Sequence, residues 1–251
     1  KNEGRPIFYH VSKEYIDLYL DMGLSLLKIG EEAKVYLPDF SMEGGERKRQ
    51  RYTQRTLEKK GYTFSIAAPE ETHAIMAELK EISDKWLERK NTREKGFSLG
   101  FFDEKYLSNF HIALIKKDDK IAAFGNILPS KDNLELGIDL MRYIPGEVDS
   151  VNEYMIINIL IWAKDNGYKW FNLGVAPFSG FENHAFAPLW NKLIHMIFNY
   201  GGKLYNFQGL RSYKDQYRPA WTPKYIAIPR GIALPKMLTD ISSVVNGGIT
   251  G

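Results

Sequence analysis

Three predicted strands and the helix after them constrain the fold of this chain more than any other feature. Residues 111–129 read HIALIKKDDKIAAFGNILP, and two apolar runs joined at 117–120 predict a β-hairpin. NLELGIDLMRY at 133–143 predicts a third strand. A mostly apolar helix over 150–167 then leads to the strand KWFNLG at 169–174. This strand–helix–strand crossover predicts a mixed α/β fold.

The third strand ends in two charges that its alternation does not explain. Leu136, Ile138 and Leu140 share one predicted face, whereas Asp139 falls on the opposite one. Arg142 interrupts the apolar row. Because a charge removed from water is costly without a partner, both side chains need polar contacts. The strand end is therefore a candidate site.

The first part of the chain has a similar rhythm of strands and helices. Apolar side chains at helical spacing predict an amphipathic helix over 12–29, with Ser12 as its cap. Other segments predict short strands at 8–11, 33–37 and 63–68, and helices at 46–60 and 69–90.

The last part of the chain predicts a helix at 187–202 and two closing strands at 203–209 and 224–229. The two similar halves suggest two packed subdomains. We expect their bounds at 1–95 and 96–234, followed by a weakly ordered tail at 235–251.

Composition removes several kinds of chemistry. The chain has no cysteine, which excludes disulfides and thiolate nucleophiles and fits a reducing cytosol. Its five histidines never approach HExxH spacing, so no metal site is expected. No run of eighteen apolar residues and no signal-peptide pattern occur. Opening at KNEGRP, the chain is expected to be a soluble piece of a longer protein.

A basic segment lies at 46–60, ERKRQRYTQRTLEKK, with seven Lys or Arg against two Glu. A solvated helix face explains such a run as well as contact with RNA phosphates or an anionic membrane does. The sequence does not separate these two polyanions. The residues that would make the contact are Arg47, Lys48, Arg49, Arg51 and Arg55.

Cations and aromatic rings alternate in GLRSYKDQYRPAWTPKY at 209–225. Such a segment can hold phosphates, because arginine makes bidentate contacts with them. It can equally be an irregular connection whose rings cover the core. The loop after the 169–174 strand, FNLGVAPFSGFENHAFAP at 171–188, leaves a strand end where open α/β sheets place ligands, although it lacks the P-loop pattern.

The segment DLMRYIPGEVD at 139–149 resembles the pyrophosphate-binding turn of GNAT acyltransferases. That turn needs a glycine-rich [QR]-x-x-G-x-[GA] pattern whose backbone N–H groups hold phosphate. Here Pro145 supplies no N–H and Val148 ends the match. Coenzyme A is therefore a poor candidate, and we expect no cofactor.

Several long segments in the right order carry a family resemblance: GFSLGFF (96–102), LGIDLMRY (136–143), FNLGVAPFSG (171–180), APLWNKL (187–193) and YNFQGLRSYKDQYRPAW (205–221). They resemble the cytosolic catalytic domain of the bacterial multiple peptide resistance factor, the aminoacyl-phosphatidylglycerol synthases. The resemblance implies two tandem GNAT-like folds, as in the Fem peptidyl transferases.

The resemblance also implies an activity. An amino acid moves from an aminoacyl-tRNA to a glycerol hydroxyl of phosphatidylglycerol, giving a cationic lipid and resistance to cationic antimicrobial peptides. In the family, the domain follows a membrane portion that flips the lipid. The implied partners are aminoacyl-tRNA, phosphatidylglycerol, the anionic membrane surface and that flippase portion, at the cytoplasmic face of the cell membrane.

Residue roles follow from the same resemblance. Asp139 would bind the α-amino group of the aminoacyl moiety or orient the attacking hydroxyl. Arg142 and Lys214 would hold the lipid phosphate or the tRNA terminus, and one of them would stabilise the oxyanion. The further substrate-binding candidates are Arg211, Tyr213, Tyr217, Asn172 and Glu153.

Lysine is the expected amino acid because lysylation is the family's commonest activity, and alanine is the alternative. A lysine pocket needs a carboxylate, for which Glu153, Glu182 and Asp215 are candidates. Two other functions stay open: Fem-like transfer to a peptidoglycan precursor, and a non-catalytic module that binds RNA or membrane.

Overall fold

The computed structural model describes residues 6–91, 94, 100–147, 150–177, 179–180 and 207–231. Eight strands and six α-helices occur within these residues, which confirms the mixed α/β class. Two compact units form. Among the described residues, unit 1 contains those up to Val35 and those from Asn172 to 231, and unit 2 contains those within Tyr36–Phe171.

These units do not follow the expected bounds at 1–95 and 96–234. The reason is strand pairing over a long sequence distance. The last strand, β8 (Ala220–Pro229), pairs antiparallel with both β1 (Phe8–Ser12) and β2 (Leu24–Tyr36). The late part of the chain therefore belongs to the same unit as its beginning.

Unit 1 has the strand order β1-β8-β2-β7, where β7 is Trp170–Pro177. A small cluster of Val11, Leu24 and Ala227 packs β1, β2 and β8 together. Its described helices are α1 (Ile16–Asp21) and α6 (Phe207–Asp215).

The helix predicted over 12–29 is wrong for most of its length. Only a 3-10 turn at Lys13–Tyr15 and the short α1 are helical. Gly23 adopts a φ of +76°, a left-handed conformation that ends helices, and Leu24 begins β2. The apolar side chains that mimicked a helical stripe are instead paired in a strand, as in Leu27 opposite Ile226.

Unit 2 has the strand order β6-β5-β4-β3, and its neighbours pair antiparallel. The bounds are β3 Tyr62–Ala67, β4 Ile112–Lys117, β5 Lys120–Pro129 and β6 Glu135–Tyr143. The predicted hairpin is confirmed. Asp118 and Asp119 at its turn have φ values of +50° and +61°, as a tight two-residue turn requires.

Four helices complete unit 2: α2 Lys48–Lys59, α3 Pro69–Lys90, α4 Glu104–Leu107 and α5 Val151–Asp165. Pro69 opens α3, and the Glu71 carboxylate accepts the Ala68 N–H at 2.8 Å, so the helix start is capped. Its apolar face, with Leu79 and Ile82, packs with Leu114 and Phe124 of the strands.

Two predictions for the last part of the chain have different outcomes. The strand at 224–229 is confirmed as part of β8, whereas the strand at 203–209 is wrong where it can be compared, because 207–209 begin α6. The helix at 187–202 and the tail at 235–251 lie outside the described residues. Among the described helices, none has the length and apolar character needed to span a bilayer.

Candidate active site

Asp139 lies at a β-bulge in β6. The register between β5 and β6 shifts there, so Asn126 faces two residues, Asp139 and Leu140. The buried side chain of Asn126 fills the gap in the ladder, since its Oδ1 accepts the Leu140 N–H at 2.8 Å. Asp139 is therefore one of the two residues that form the bulge.

The Asp139 carboxylate is held from two sides. The Tyr106 hydroxyl donates to Oδ2 at 3.0 Å. Burial and this carboxylate together raise the pKa of Tyr106 to about 12, so the phenol remains a donor. On the other side Gly100 comes so close that a Cβ there would lie 2.7 Å from the Asp139 Cγ. The result is a fixed anionic acceptor.

Arg142 is buried on the same strand. Its guanidinium stacks 4.0 Å from the ring centre of Trp86, and one amino group donates to Glu94 at 3.1 Å. Burial lowers the pKa of Arg142, an effect that Glu94 opposes. Within the described part of the chain its Nε–H has no acceptor. The cation is thus oriented by two neighbours.

Lys214 is a buried cation of unit 1, with 6% of its surface exposed. It projects from α6, and its Nζ donates to the Val175 carbonyl at 2.8 Å. Burial lowers the pKa of Lys214 to about 8, although the Glu32 carboxylate opposes the shift. An amine with this pKa exchanges protons near neutral pH, as general acid–base catalysis requires.

Two adjacent glutamates of β2 accompany this lysine in unit 1. A register shift after Lys28 puts Lys28 and Glu31 on one side, and their Nζ and Oε1 atoms are 2.8 Å apart. Glu31 also accepts from Arg211. Burial alone would raise the pKa of Glu31, but hydrogen bonds from Lys28 and Arg211 outweigh it and keep the pKa below its ordinary value.

Glu32 is 7% exposed and has its own set of cations. Its Oε2 lies 3.1 Å from the Lys224 Nζ and 3.3 Å from the Lys34 Nζ. Burial would raise the pKa of Glu32, yet hydrogen bonds from Asn172 and Lys224 and the charge of both lysines lower it. Glu32 is therefore an ionised carboxylate.

Asn172 links Glu32 to the segment that holds Lys214. Its Nδ2 donates to Glu32 at 3.1 Å, and its Oδ1 accepts the Gly174 N–H at 2.7 Å. Gly174 has a φ of +79°, and a Cβ there would lie 3.7 Å from the Lys214 Nζ. Asn172, predicted to bind substrate, thus shapes the turn that carries the Val175 carbonyl.

The structure gives several other predicted residues structural partners. Tyr217 is fully buried and its hydroxyl lies 3.4 Å from that of Tyr213, so it contributes to core packing, and substrate binding by these two tyrosines stays a prediction. Glu153 is 4% exposed, and one of its oxygens lies 3.4 Å from Arg49. Asp215 accepts from the Trp221 indole, and Glu182 lies outside the described residues.

The residues predicted to contact a polyanion differ in their burial and in their partners. Arg47 is buried with its guanidinium 5.2 Å from the Phe40 ring, and Arg51 donates to the carbonyls of Met42 and Gly44. Arg47 therefore packs on an aromatic ring, and its contact with a polyanion stays a prediction. Lys48 and Arg55 are exposed.

Sequence reasoning missed five residues that lie around the predicted site residues. Two of them, Glu31 and Glu32, are in unit 1 with Lys214, and three, Tyr106, Trp86 and Glu94, contact Asp139 or Arg142 in unit 2. The glutamate pair carried a usable signal, since two consecutive charges interrupt the strand segment IGEEAKVY. The misassigned helix over 12–29 hid it. Tyr106, Trp86 and Glu94 lie far from their partners along the chain, so no local pattern marks them.

Comparisons with known proteins agree on one family. A family model described as "Phosphatidylglycerol lysyltransferase, C-terminal" matches residues 1–228. A phosphatidylglycerol lysyltransferase of Bacillus subtilis is 38% identical over 230 residues, which cover 91% of this chain and 26% of that protein. The chain thus spans about a quarter of this relative's length.

Two solved structures share the fold over nearly the whole chain. One is the C-terminal domain of an Agrobacterium fabrum protein described as a lysylphosphatidylglycerol synthetase, with a TM-score of 0.86 and 33% identity, covering 99% of this chain and 75% of that one. The other is L-PGS from Bacillus licheniformis, with a TM-score of 0.82 and 34% identity, covering 96% and 73%. The chain belongs to the phosphatidylglycerol lysyltransferase C-terminal family.

Proposed function

We propose that this chain is an aminoacyltransferase that moves lysine from lysyl-tRNA to a glycerol hydroxyl of phosphatidylglycerol. The observation that carries the proposal is Lys214, a buried amine with a pKa of about 8, in a chain of this family. The choice of lysine rests on the name of the Bacillus subtilis relative.

Lys214 supplies the proton chemistry of the proposed reaction. In its neutral form the amine accepts the proton of the attacking glycerol hydroxyl while the hydroxyl oxygen bonds to the aminoacyl carbonyl carbon. The bond from that carbon to the tRNA ribose oxygen then breaks, and the Lys214 ammonium returns the proton to the leaving oxygen. One ester forms as one is cleaved, so no further reactant is needed.

Asp139 has the properties of a receptor for an ammonium group. Its carboxylate is fixed by Tyr106 and enclosed by Gly100, so it meets a cation without first reorganising. We assign it the α-amino group of the aminoacyl moiety. This assignment applies to any amino acid, and it therefore does not select lysine over alanine.

We propose that the Arg142 guanidinium binds an anionic oxygen of the lipid phosphate or of the tRNA terminus. Its planar cation is pre-oriented by Trp86 and Glu94, which reduces the entropy lost on binding. Arg211, whose charge is engaged by Glu31 and by the Trp221 ring at 4.2 Å, is assigned a supporting role.

The setting of the reaction also belongs to the proposal. Because the lipid acceptor resides in a membrane, the chain would act at a membrane surface. We propose that this surface is the cytoplasmic face of the cell membrane. The product would be a cationic lipid, which makes the membrane surface less negative and so weakens its attraction for cationic antimicrobial peptides. The remaining length of the longer relatives would include the membrane flippase portion that the resemblance implies.

The test uses tRNA charged with labelled lysine, vesicles containing phosphatidylglycerol, and the Asp139→Ala and Lys214→Ala variants. The wild-type chain should move label into lipid, and both variants should lose at least about 100-fold in rate. Lys80→Ala, on the exposed face of α3, is the matched control. Folded variants that keep full activity would remove these residues from the mechanism.

Two parallel arms separate the other functions. Alanyl-tRNA replaces lysyl-tRNA in one arm, and a peptidoglycan precursor replaces the vesicles in the other. Preferred transfer in either arm would reassign the donor or the acceptor.

A further inference from the structure

Helix α2 presents one exposed stripe of side chains. Lys48, Tyr52, Arg55 and Lys59 follow each other at intervals of four, three and four residues, which places them within an arc of about 60° on the helix. All four are exposed, and Tyr52 is 71% exposed. The opposite face, with Gln50, Thr53 and Leu57, is buried. We call the four residues the basic stripe.

The cations of the basic stripe differ from the other cations of the same helix. Arg47 stacks on Phe40, Arg49 lies 3.4 Å from Glu153, and Arg51 donates to loop carbonyls. Lys48, Arg55 and Lys59 make no side-chain hydrogen bond or ion pair with the part of the chain that the structure describes. Their positive charge is therefore not offset by a bonded carboxylate.

Helix α3 in the same unit provides a comparison, because its exposed Lys80 and Lys85 form ion pairs within the helix. Lys80 pairs with Asp84 at 2.6 Å and Lys85 pairs with Glu81, each four residues apart. That arrangement is typical of a solvated face. The basic stripe has the opposite character, since its cations flank an exposed aromatic ring and lack such partners.

We infer that the basic stripe docks the phosphate backbone of the tRNA substrate. This inference rests on the proposed function for the identity of the RNA. Three cations along roughly 16 Å of helix complement a run of phosphates, and an exposed tyrosine between cations suits stacking on an unpaired base.

A membrane surface fits the basic stripe less well. Helices that lie in a bilayer interface bury an apolar face among the acyl chains. The apolar residue Leu57 of α2 is 1% exposed and belongs to the interior of unit 2, so the stripe offers the bilayer no aliphatic side chain. The lack of an exposed aliphatic side chain therefore favours RNA over a membrane as the occupant of the basic stripe.

The test compares two variants with the same loss of charge: Lys48→Gln/Lys59→Gln in the basic stripe and Lys80→Gln/Lys85→Gln in α3. Binding of uncharged tRNA is measured between about 50 and 200 mM salt, and folding is checked by thermal unfolding. The stripe variant should reduce the slope of log K against log salt by about 2, and the control by less than about 0.5. Tyr52→Ala should weaken binding about five-fold or more.

Equal slopes for the stripe variant and the wild-type chain would overturn the inference. So would a stripe variant that binds tRNA normally but no longer sediments with phosphatidylglycerol vesicles, because the surface would then be a membrane contact. A lipid-transfer assay on the wild-type chain separates the two proposals. If the wild-type chain transfers lysine to lipid but the stripe variant binds tRNA with an unchanged salt dependence, only the RNA-docking role of the basic stripe is refuted. If the stripe variant changes the salt dependence but the wild-type chain transfers no lysine, only the proposed function is refuted.

Discussion

The pH dependence of the transfer rate follows from the environment of Lys214. With a pKa of about 8, about 9% of Lys214 is neutral at pH 7, whereas an ordinary lysine with a pKa near 10.4 would be only about 0.04% neutral. Burial thus increases the reactive fraction about 200-fold. The neutral fraction then rises to about 90% at pH 9.

We therefore expect kcat/KM for aminoacyl-tRNA to rise about ten-fold between pH 7 and pH 9 and to level off above a midpoint near 8. The assay is the initial rate of label transfer into lipid, corrected at each pH for spontaneous hydrolysis of the tRNA ester. Lys214→Arg should abolish the ascending limb, because arginine remains charged throughout this range.

The opposite profile would exclude Lys214 as a general base. If Lys214 works as an ammonium that holds a phosphate or an oxyanion, the rate should fall as the pH rises through 8. A Lys214→Arg variant that retains the rate and the profile of the wild-type chain would exclude proton transfer by this residue altogether.

Three further predictions concern residues close to Lys214 or to Asp139. Glu32→Gln removes the carboxylate that opposes the pKa shift of Lys214, so the midpoint of the pH–rate profile should move to lower pH, and a shift to higher pH would contradict the electrostatics. Tyr106→Phe should lower kcat/KM about ten-fold while costing only about 1 kcal/mol of stability in thermal unfolding, because one hydrogen bond to Asp139 is lost; an unchanged rate would show that the phenol does not position the carboxylate. Gly100→Ala should displace the Asp139 carboxylate and reduce transfer, whereas Gly45→Ala, where a Cβ meets no atom within 4 Å, should not; equal rates in both variants would contradict the close approach.

Regular alternation and strong turn signals allowed much of unit 2 to be predicted. The hairpin of β4 and β5, the strand β6 and helices α3 and α5 all follow from local patterns whose burial matches their period. The error in unit 1 has a physical cause. Leucines near Gly23 satisfy a helical spacing as well as a strand, and only pairing with β8, about 200 residues later, decides between them.

The candidate site was predictable to the extent that its charges stood out from the local pattern. Arg142 interrupted the apolar row of a strand, Asp139 was a charge on its opposite face, and Lys214 lay among aromatic residues. The bulge opposite Asn126, the Tyr106 hydroxyl and the stacking on Trp86 depend on contacts distant in sequence. The low pKa of Lys214 likewise depends on burial, which composition does not reveal.

The most direct measurement is lipid separation after the chain is incubated with labelled lysyl-tRNA and phosphatidylglycerol vesicles. We expect label to move from tRNA to a lipid more cationic than phosphatidylglycerol, and we expect Lys214→Ala to stop the transfer. Label that stays on tRNA, or leaves it only as free lysine, would exclude the proposed function.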